Sequence, residues 1–167
     1  GLGDVYKRQV FHVKGGLWFV RDEAEGHGTH LLESFWHFAP AVEIMERKGM
    51  LLATAPATNE GNERASLALL LDRKSTWTTE LGEGFVSPAY GAKEAAPVAR
   101  LSTSSPLPQD CGILFLPMAK ATDIGAFSAL AESPARGVVQ GYSYQTERGT
   151  EFLFSRQGSD RWKCGLW

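Results

Sequence analysis

The side chains in this sequence that could do chemistry are few: four histidines, two cysteines and some aromatic residues in Gly-rich surroundings. His27 and His30 lie in or beside one polar loop, separated by Gly28-Thr29. A zinc site needs three or four converging ligands. A pair without a nearby acid partner reads instead as solvated loop. His37 stands between Trp36 and Phe38 in an alternating run. Its ordinary reading is a half-buried histidine bonded to a neighbouring strand; its functional reading is a polar contact to a sugar hydroxyl or carboxylate. Trp36 offers a flat face that suits the C–H face of a pyranose, but its parity with Leu32 and Phe38 favours the core. Tyr90, Lys93 and Glu94 fall in a Gly/Pro-rich excursion. Loops carry function disproportionately, yet these residues also read as ordinary solvated positions. Trp36, His37 and Tyr90 are therefore the substrate-contact candidates. No residue reads as catalytic and none as a metal ligand.

Other signatures are missing. No Gly-rich phosphate loop follows a strand and opens a helix. No nucleophile elbow or metalloprotease helix occurs. Arg21-Asp22 reads as a strand-end ion pair or turn former. Cys111 and Cys164 match no metal spacing. Free thiols are favoured over a disulfide between them.

The elements that must position these residues are short apolar runs, often alternating, broken by Gly, Pro, Asn or Asp. "VFHV" and "LWFVRD" flank Lys14-Gly15-Gly16, a hairpin signature. In "HLLESFWHF", His30, Leu32, Ser34, Trp36 and Phe38 point one way and Leu31, Glu33, Phe35 and His37 the other. "AVEIMERKGMLLAT" predicts a second hairpin turning at Lys48-Gly49. "ATNEGNER" predicts a loop. "ASLALLLD" is continuously apolar, as a strand covered on both faces would be. Further turns are predicted at Glu147-Arg148-Gly149 and Gln157-Gly158-Ser159-Asp160. Only "DIGAFSALAES" hints at a helix, capped by Asp123 and closed by Pro134. About nine or ten strands at regular spacing predict an all-β fold, an antiparallel β-sandwich with at most one short helix.

Composition agrees with a globular domain: 167 residues, 43% hydrophobic, five Trp and nine Phe. Net charge is -2 and pI about 6.1. No Lys/Arg stripe forms, which speaks against nucleic acid as a partner. The longest apolar runs are far too short for a membrane span.

Two ordered blocks carry a resemblance. The first is "FHVKGGLWFVRDEAEGHGTHLLESFWHFAP", with Lys14, Trp18 to Val20, Asp22, Glu25-Gly26, Gly28, His30 and Trp36-His37-Phe38-Ala39-Pro40. The second is "GFVSPAYGAKEAAPVARLSTSSPLPQDCGILFLP", with Ser87-Pro88, Tyr90-Gly91, Pro97, Pro108 and Pro117. Together they resemble the later β-region of heparinase II/III-like polysaccharide lyases, over residues 10–167. The resemblance implies a two-part parent enzyme, with an N-terminal α/α-toroid and a C-terminal β-sandwich. It implies β-elimination on an acidic, uronate-containing polysaccharide, in the periplasm or outside a bacterial cell. The family's catalytic residues, and any divalent metal, are implied to lie upstream of this stretch. No catalytic residue and no metal ligand or other cofactor is therefore carried over, and the piece alone is expected to be inactive.

The opening stretch reads differently. Asp4 to Gln9, "DVYKRQ", matches one translated frame of the transposon end used in sequencing libraries. Residues 1–9 are expected to be adaptor read-through, and the β-sandwich to be incomplete at both ends. The competing function is a non-catalytic carbohydrate-binding β-sandwich that uses Trp36, Tyr90 or another aromatic as its platform.

Overall fold

The computed structural model describes residues 5–14, 16–47, 49–57, 64–72, 74–118, 124–130, 141–157 and 161–166. The strands, in chain order, are β1 (Val5–Val13), β2 (Leu17–Glu25), β3 (Thr29–His37), β4 (Glu43–Arg47), β5 (Met50–Thr54), β6 (Ser66–Leu71) and β7 (Thr78–Val86). They continue with β8 (Glu94–Pro106), β9 (Gln109–Met118), β10 (Ala126–Ala129), β11 (Gly141–Gln145), β12 (Glu151–Gln157) and β13 (Arg161–Leu166).

Every pairing is antiparallel, and the strands make three sheets. A six-stranded sheet has the order β1-β2-β9-β6-β5-β4; the others are β10-β11-β12-β13 and β3-β8-β7. The six-stranded sheet lies in the middle. Side chains on successive residues of a strand leave on opposite faces, so each central strand feeds two cores. Leu17, Phe19, Ala68, Leu70 and Leu114 meet Phe127, Tyr142, Tyr144 and Phe154 of the four-stranded sheet. Leu51, Leu69, Leu71, Cys111 and Ile113 meet Ala99 and Leu101 of the three-stranded sheet. Strand β6 shows the rule plainly. Its run Leu67 to Leu71 sends odd residues to one core and even residues to the other, which is why it carries no polar alternation.

The antiparallel all-β sandwich agrees with the spacing of the short apolar runs. Three points differ. Thirteen strands occur among the described residues rather than nine or ten. The helix expected over "DIGAFSALAES" is not formed in its described part: Ala126–Ala129 is strand β10. Tertiary packing overrides the local preference there, because Phe127 is buried against Phe19 at 6.0 Å and stacked on Tyr142 at 5.6 Å. Asp123 and Ala131 to Ser133 lie outside the described residues. Finally, β1 extends back to Val5, and Val5 to Gln9 pair with Arg21 to Glu25. No helix among the described residues is long and apolar enough to cross a membrane.

The turns predicted at Lys48-Gly49 and Glu147-Arg148-Gly149 fall where expected. Gly49 and Gly149 take φ of 79° and 85°, a region open to glycine at little cost. The Glu147-Arg148-Gly149 turn closes with Thr146 N–H donating to the Thr150 carbonyl at 2.9 Å. Gly15, Lys48, residues 58–63 of the "ATNEGNER" loop and residues 158–160 of the last turn lie outside the described residues.

Candidate functional site

Alternation along β2 splits Arg21 and Asp22 onto opposite faces of the central sheet, and each builds its own polar centre. They sit at mid-strand and are not a strand-end pair, because β2 runs on to Glu25.

Arg21 points toward the four-stranded sheet and is 1% exposed. Its Nε donates to Asp110 Oδ2 at 2.8 Å and its Nη1 to Glu23 Oε2 at 2.9 Å and Gln9 Oε1 at 3.1 Å. Its Nη2 lies 2.7 Å from Asp110 Oδ2 but is not aligned for a hydrogen bond, so that contact is ionic attraction alone. The Trp162 ring covers the guanidinium at 4.4 Å. From the opposite sheet, the Tyr142 hydroxyl donates to Asp110 Oδ1 at 2.7 Å.

Burial and pairing set the titration of this cluster. Burial pushes the Asp110 carboxyl up, and the Arg21 charge and the Tyr142 hydrogen bond oppose this without cancelling it. Burial also pushes Glu23 up, but its hydrogen bond and ion pair with Arg21 prevail and hold it below the usual range. Burial and the Asp110 charge drive the Tyr142 hydroxyl well above its ordinary value. The two acids therefore act on stability in opposite senses. Glu23 stabilises fully above its unfolded value of about 4.3, and that share is lost as pH falls through its lower folded value. Asp110 has no such cost below its unfolded value of about 3.9; the cost grows as pH rises through its raised folded value. Urea midpoints measured across pH are expected to lose part of their acid-side fall in Glu23→Gln. Asp110→Asn is expected to lose part of the decline on the rising side instead.

Asp22 points toward the three-stranded sheet and is 8% exposed. Arg8 grips it with two hydrogen bonds of 2.6 Å, and the Tyr6 hydroxyl adds one of 2.9 Å. The same guanidinium lies 4.8 Å from the Trp36 ring centroid. Arg8→Met leaves a desolvated carboxylate without its cation. The expected loss is about 1–3 kcal/mol by urea unfolding, with partial recovery in Arg8→Lys.

The three substrate-contact candidates do not converge. Trp36 turns inward and is half-buried, with its ring 4.9 Å from Phe115 and under Arg8. Core packing claims it, as its parity implies. His37 turns outward and is exposed rather than half-buried, because none of the described strands covers the outer face of β3. A Cβ placed on Gly84 would come within 3.4 Å of the His37 ring, so the imidazole lies over that glycine. Tyr90 is fully exposed in the β7–β8 connection, near Lys93, whose ammonium sits 3.6 Å from the Phe85 centroid. His30 Nε2 bonds the His27 carbonyl at 2.8 Å. Cys111 is buried, its thiol pushed up by burial, and Cys164 is exposed; both are free. Among the described residues no three His, Cys, Asp or Glu side chains are grouped to hold a metal ion.

Sequence reading misses two features. On the outer face, Arg100 bridges Glu33 and Glu80, each at 2.5 Å. Between the central and three-stranded sheets lies a cleft of about 190 Å³, lined by Tyr6, Arg8, Asp22, Ser34, Trp77 and Gln109 among others. In the first, Arg100 stands directly opposite Glu80 on β7 and diagonal to Glu33 on β3, a register that the tertiary pairing sets. For the second no local signal exists.

No family model matches the sequence, and no curated protein matches it. The fold does have solved counterparts. The crystal structure of heparan sulfate lyase HepC from Pedobacter heparinus superposes with a TM-score of 0.68 at 16% identity, over 93% of this chain. That of a HepC mutant gives 0.67 at 16% identity over 90%. This chain spans about a quarter of the length of those proteins, 24% and 23%. The likeness establishes a heparinase-like β fold.

Proposed function

We propose that this chain is the later part of the C-terminal β-sandwich of a heparinase II/III-like polysaccharide lyase. The observation that carries this reading is the fold likeness, with a TM-score of 0.68 over 93% of the chain to part of a heparan sulfate lyase. The ordered motif blocks around Trp36-His37 and Ser87-Pro88 support it from the sequence side.

The parent enzyme cleaves a uronate-containing polysaccharide by β-elimination. A base takes the proton α to the carboxylate. The electron pair forms a carbon–carbon double bond, the glycosidic C–O bond breaks, and an acid protonates the leaving oxygen. Stabilising the enolate-like intermediate is the costly part. Three of the four histidines have described contacts unrelated to proton transfer. His12 stacks on Trp18 at 4.0 Å, His30 bonds a backbone carbonyl, and His37 lies over Gly84. In this reading the acid and base come from other parts of the parent, including an N-terminal α/α-toroid. The polymer substrate places the parent in the periplasm or outside the cell.

The test is to recover the complete gene and assay its product on heparan sulfate and alginate, following the ultraviolet absorbance of the unsaturated sugar. The full-length protein is expected to generate that signal and residues 1–167 alone to give none. Product formed by the short chain, or none by the full-length protein, overturns the reading. The exposed Tyr90 favours one competitor, a carbohydrate-binding sandwich. That competitor predicts polysaccharide retention by the short chain that Tyr90→Ala abolishes.

A further inference from the structure

We infer that the free edge of β7 is a docking seam for a second copy of this chain, paired antiparallel about a two-fold axis at Gly82. The backbone sets which groups that edge offers. Just beyond the ends of the β3–β8 ladder, Phe38 N–H donates to the Pro97 carbonyl at 3.0 Å and Leu107 N–H to the Gly28 carbonyl at 2.9 Å. The register between those two bonds runs without a bulge. Odd residues of β8 therefore turn their backbone groups to β3, and even residues turn theirs to β7. Thr78, Glu80, Gly82, Gly84 and Val86 stand opposite those even residues. Thr79, Leu81, Glu83 and Phe85 are left with N–H and C=O turned outward, and no described strand pairs with them.

The side chains of these four residues leave on the side of the central sheet, since Leu81 and Thr79 stand opposite the buried Ala99 and Leu101. Leu81 and Phe85 are nevertheless 42% and 50% exposed, so the central sheet does not reach beneath that stretch. Other edges are guarded. Strand β4 is short and mostly charged. Beside β3, Arg8 of β1 reaches across to the Trp36 ring. Strand β7 has nine residues, no Pro and no Lys.

A second copy fits because β7 is complementary to itself about its midpoint. A two-fold axis at Gly82 overlaps the whole of Thr78–Val86. Thr79 then exchanges backbone bonds with Phe85 across the axis, and Leu81 with Glu83. No like charges meet, because Glu80 faces Gly84 and Glu83 faces Leu81. An axis at Glu83 would instead set carboxylate on carboxylate. On the inner side, Leu81 and Phe85 of both copies join into one apolar stripe. On the outer side the His37 imidazole lies over Gly84, so Glu80 of each copy arrives beside the His37 of the other. Every residue used lies beyond residue 9.

One strand pair is small beside the roughly 1,200–2,000 Å² of stable complexes, so a dimer with a dissociation constant of about 10–100 μM is expected. Sedimentation of the 167-residue chain below and above that range measures it. Leu81→Pro removes an outward N–H that the fold does not use. It should weaken the dimer at least about tenfold while the amide spectrum stays that of a folded chain. In a Cys164→Ser background, Gly82→Cys should form an intermolecular disulfide, because position 82 meets itself at the axis. Thr78→Cys should not, with about 27 Å between the two copies of that position. If Leu81→Pro fails to fold, the cysteine pair decides. A chain that stays monomeric, a dimer indifferent to Leu81→Pro, equal cross-linking at positions 78 and 82, or assembly beyond the dimer each overturns the seam. The outcome is independent of the elimination chemistry proposed above.

Discussion

Arg21→Met is expected to cost about 3–5 kcal/mol and to lower the melting temperature by about 10 °C or more. The side chain is 1% exposed and answers two buried carboxylates, Asp110 and Glu23, at once. Without the guanidinium both acids stay desolvated and lose their nearest cation, and Trp162 loses the cation beneath its ring. Lysine is no substitute, because one ammonium cannot reach Glu23, Asp110 and Gln9 with a planar fork. The cluster also crosses layers. Tyr142 belongs to the four-stranded sheet and Asp110 to the central one, so the damage spreads to the interface between them. Thermal and urea unfolding of Arg21→Met, Arg21→Lys and Arg21→Met/Asp110→Leu check this. The double variant, which removes a carboxylate along with its partner, should be more stable than Arg21→Met. If Arg21→Met melts within about 1 kcal/mol of the parent, the cluster does not hold the layers together.

Gly112→Ala comes next, with an expected loss of about 3 kcal/mol or more. Gly112 lies on β9, and a Cβ there would stand 2.5 Å from Tyr142 Cζ and 2.8 Å from Cδ1, nearer still to Cε1. The ring cannot step aside. Its hydroxyl is bonded to Asp110, its face is stacked on Phe127 with an interplanar angle of 6°, and Phe19 sits at 5.1 Å. A methyl group therefore forces the two sheets apart or breaks the Asp110 bond. Gly82→Ala on β7 is the control. The nearest atom to its added Cβ is a Val98 methyl at 3.8 Å, an ordinary contact, and φ there is not left-handed. That variant should match or slightly exceed the parent in urea midpoint. Equal losses in the two alanine variants would mean that strand glycine, and not the Tyr142 ring, sets the cost.

Much of the fold is legible in single segments. The alternation in Thr29–His37 names both faces of β3 residue by residue, and the structure keeps that division. The unbroken run in β6 announces burial on both faces. Gly49 and Gly149 mark turns that need left-handed backbone. The candidate site is less legible. Trp36 follows its parity into the core, whereas His37, on the opposite face of β3, stays in solvent. Ala126–Ala129 escaped notice because four residues carry too little periodicity to overrule a helix-like composition.

The sequence alone determined the class of the molecule, since a period of two and well-placed turn residues are local properties that strand geometry reads directly. Only the tertiary structure decided which strands meet, that a third sheet exists, and that Arg21 finds Asp110 across 89 residues of chain. Those outcomes depend on which faces bury the most apolar surface together. Ion pairs, the cleft and the Gly112–Tyr142 fit come into being when separate layers close, and no window of sequence contains both halves of such a contact.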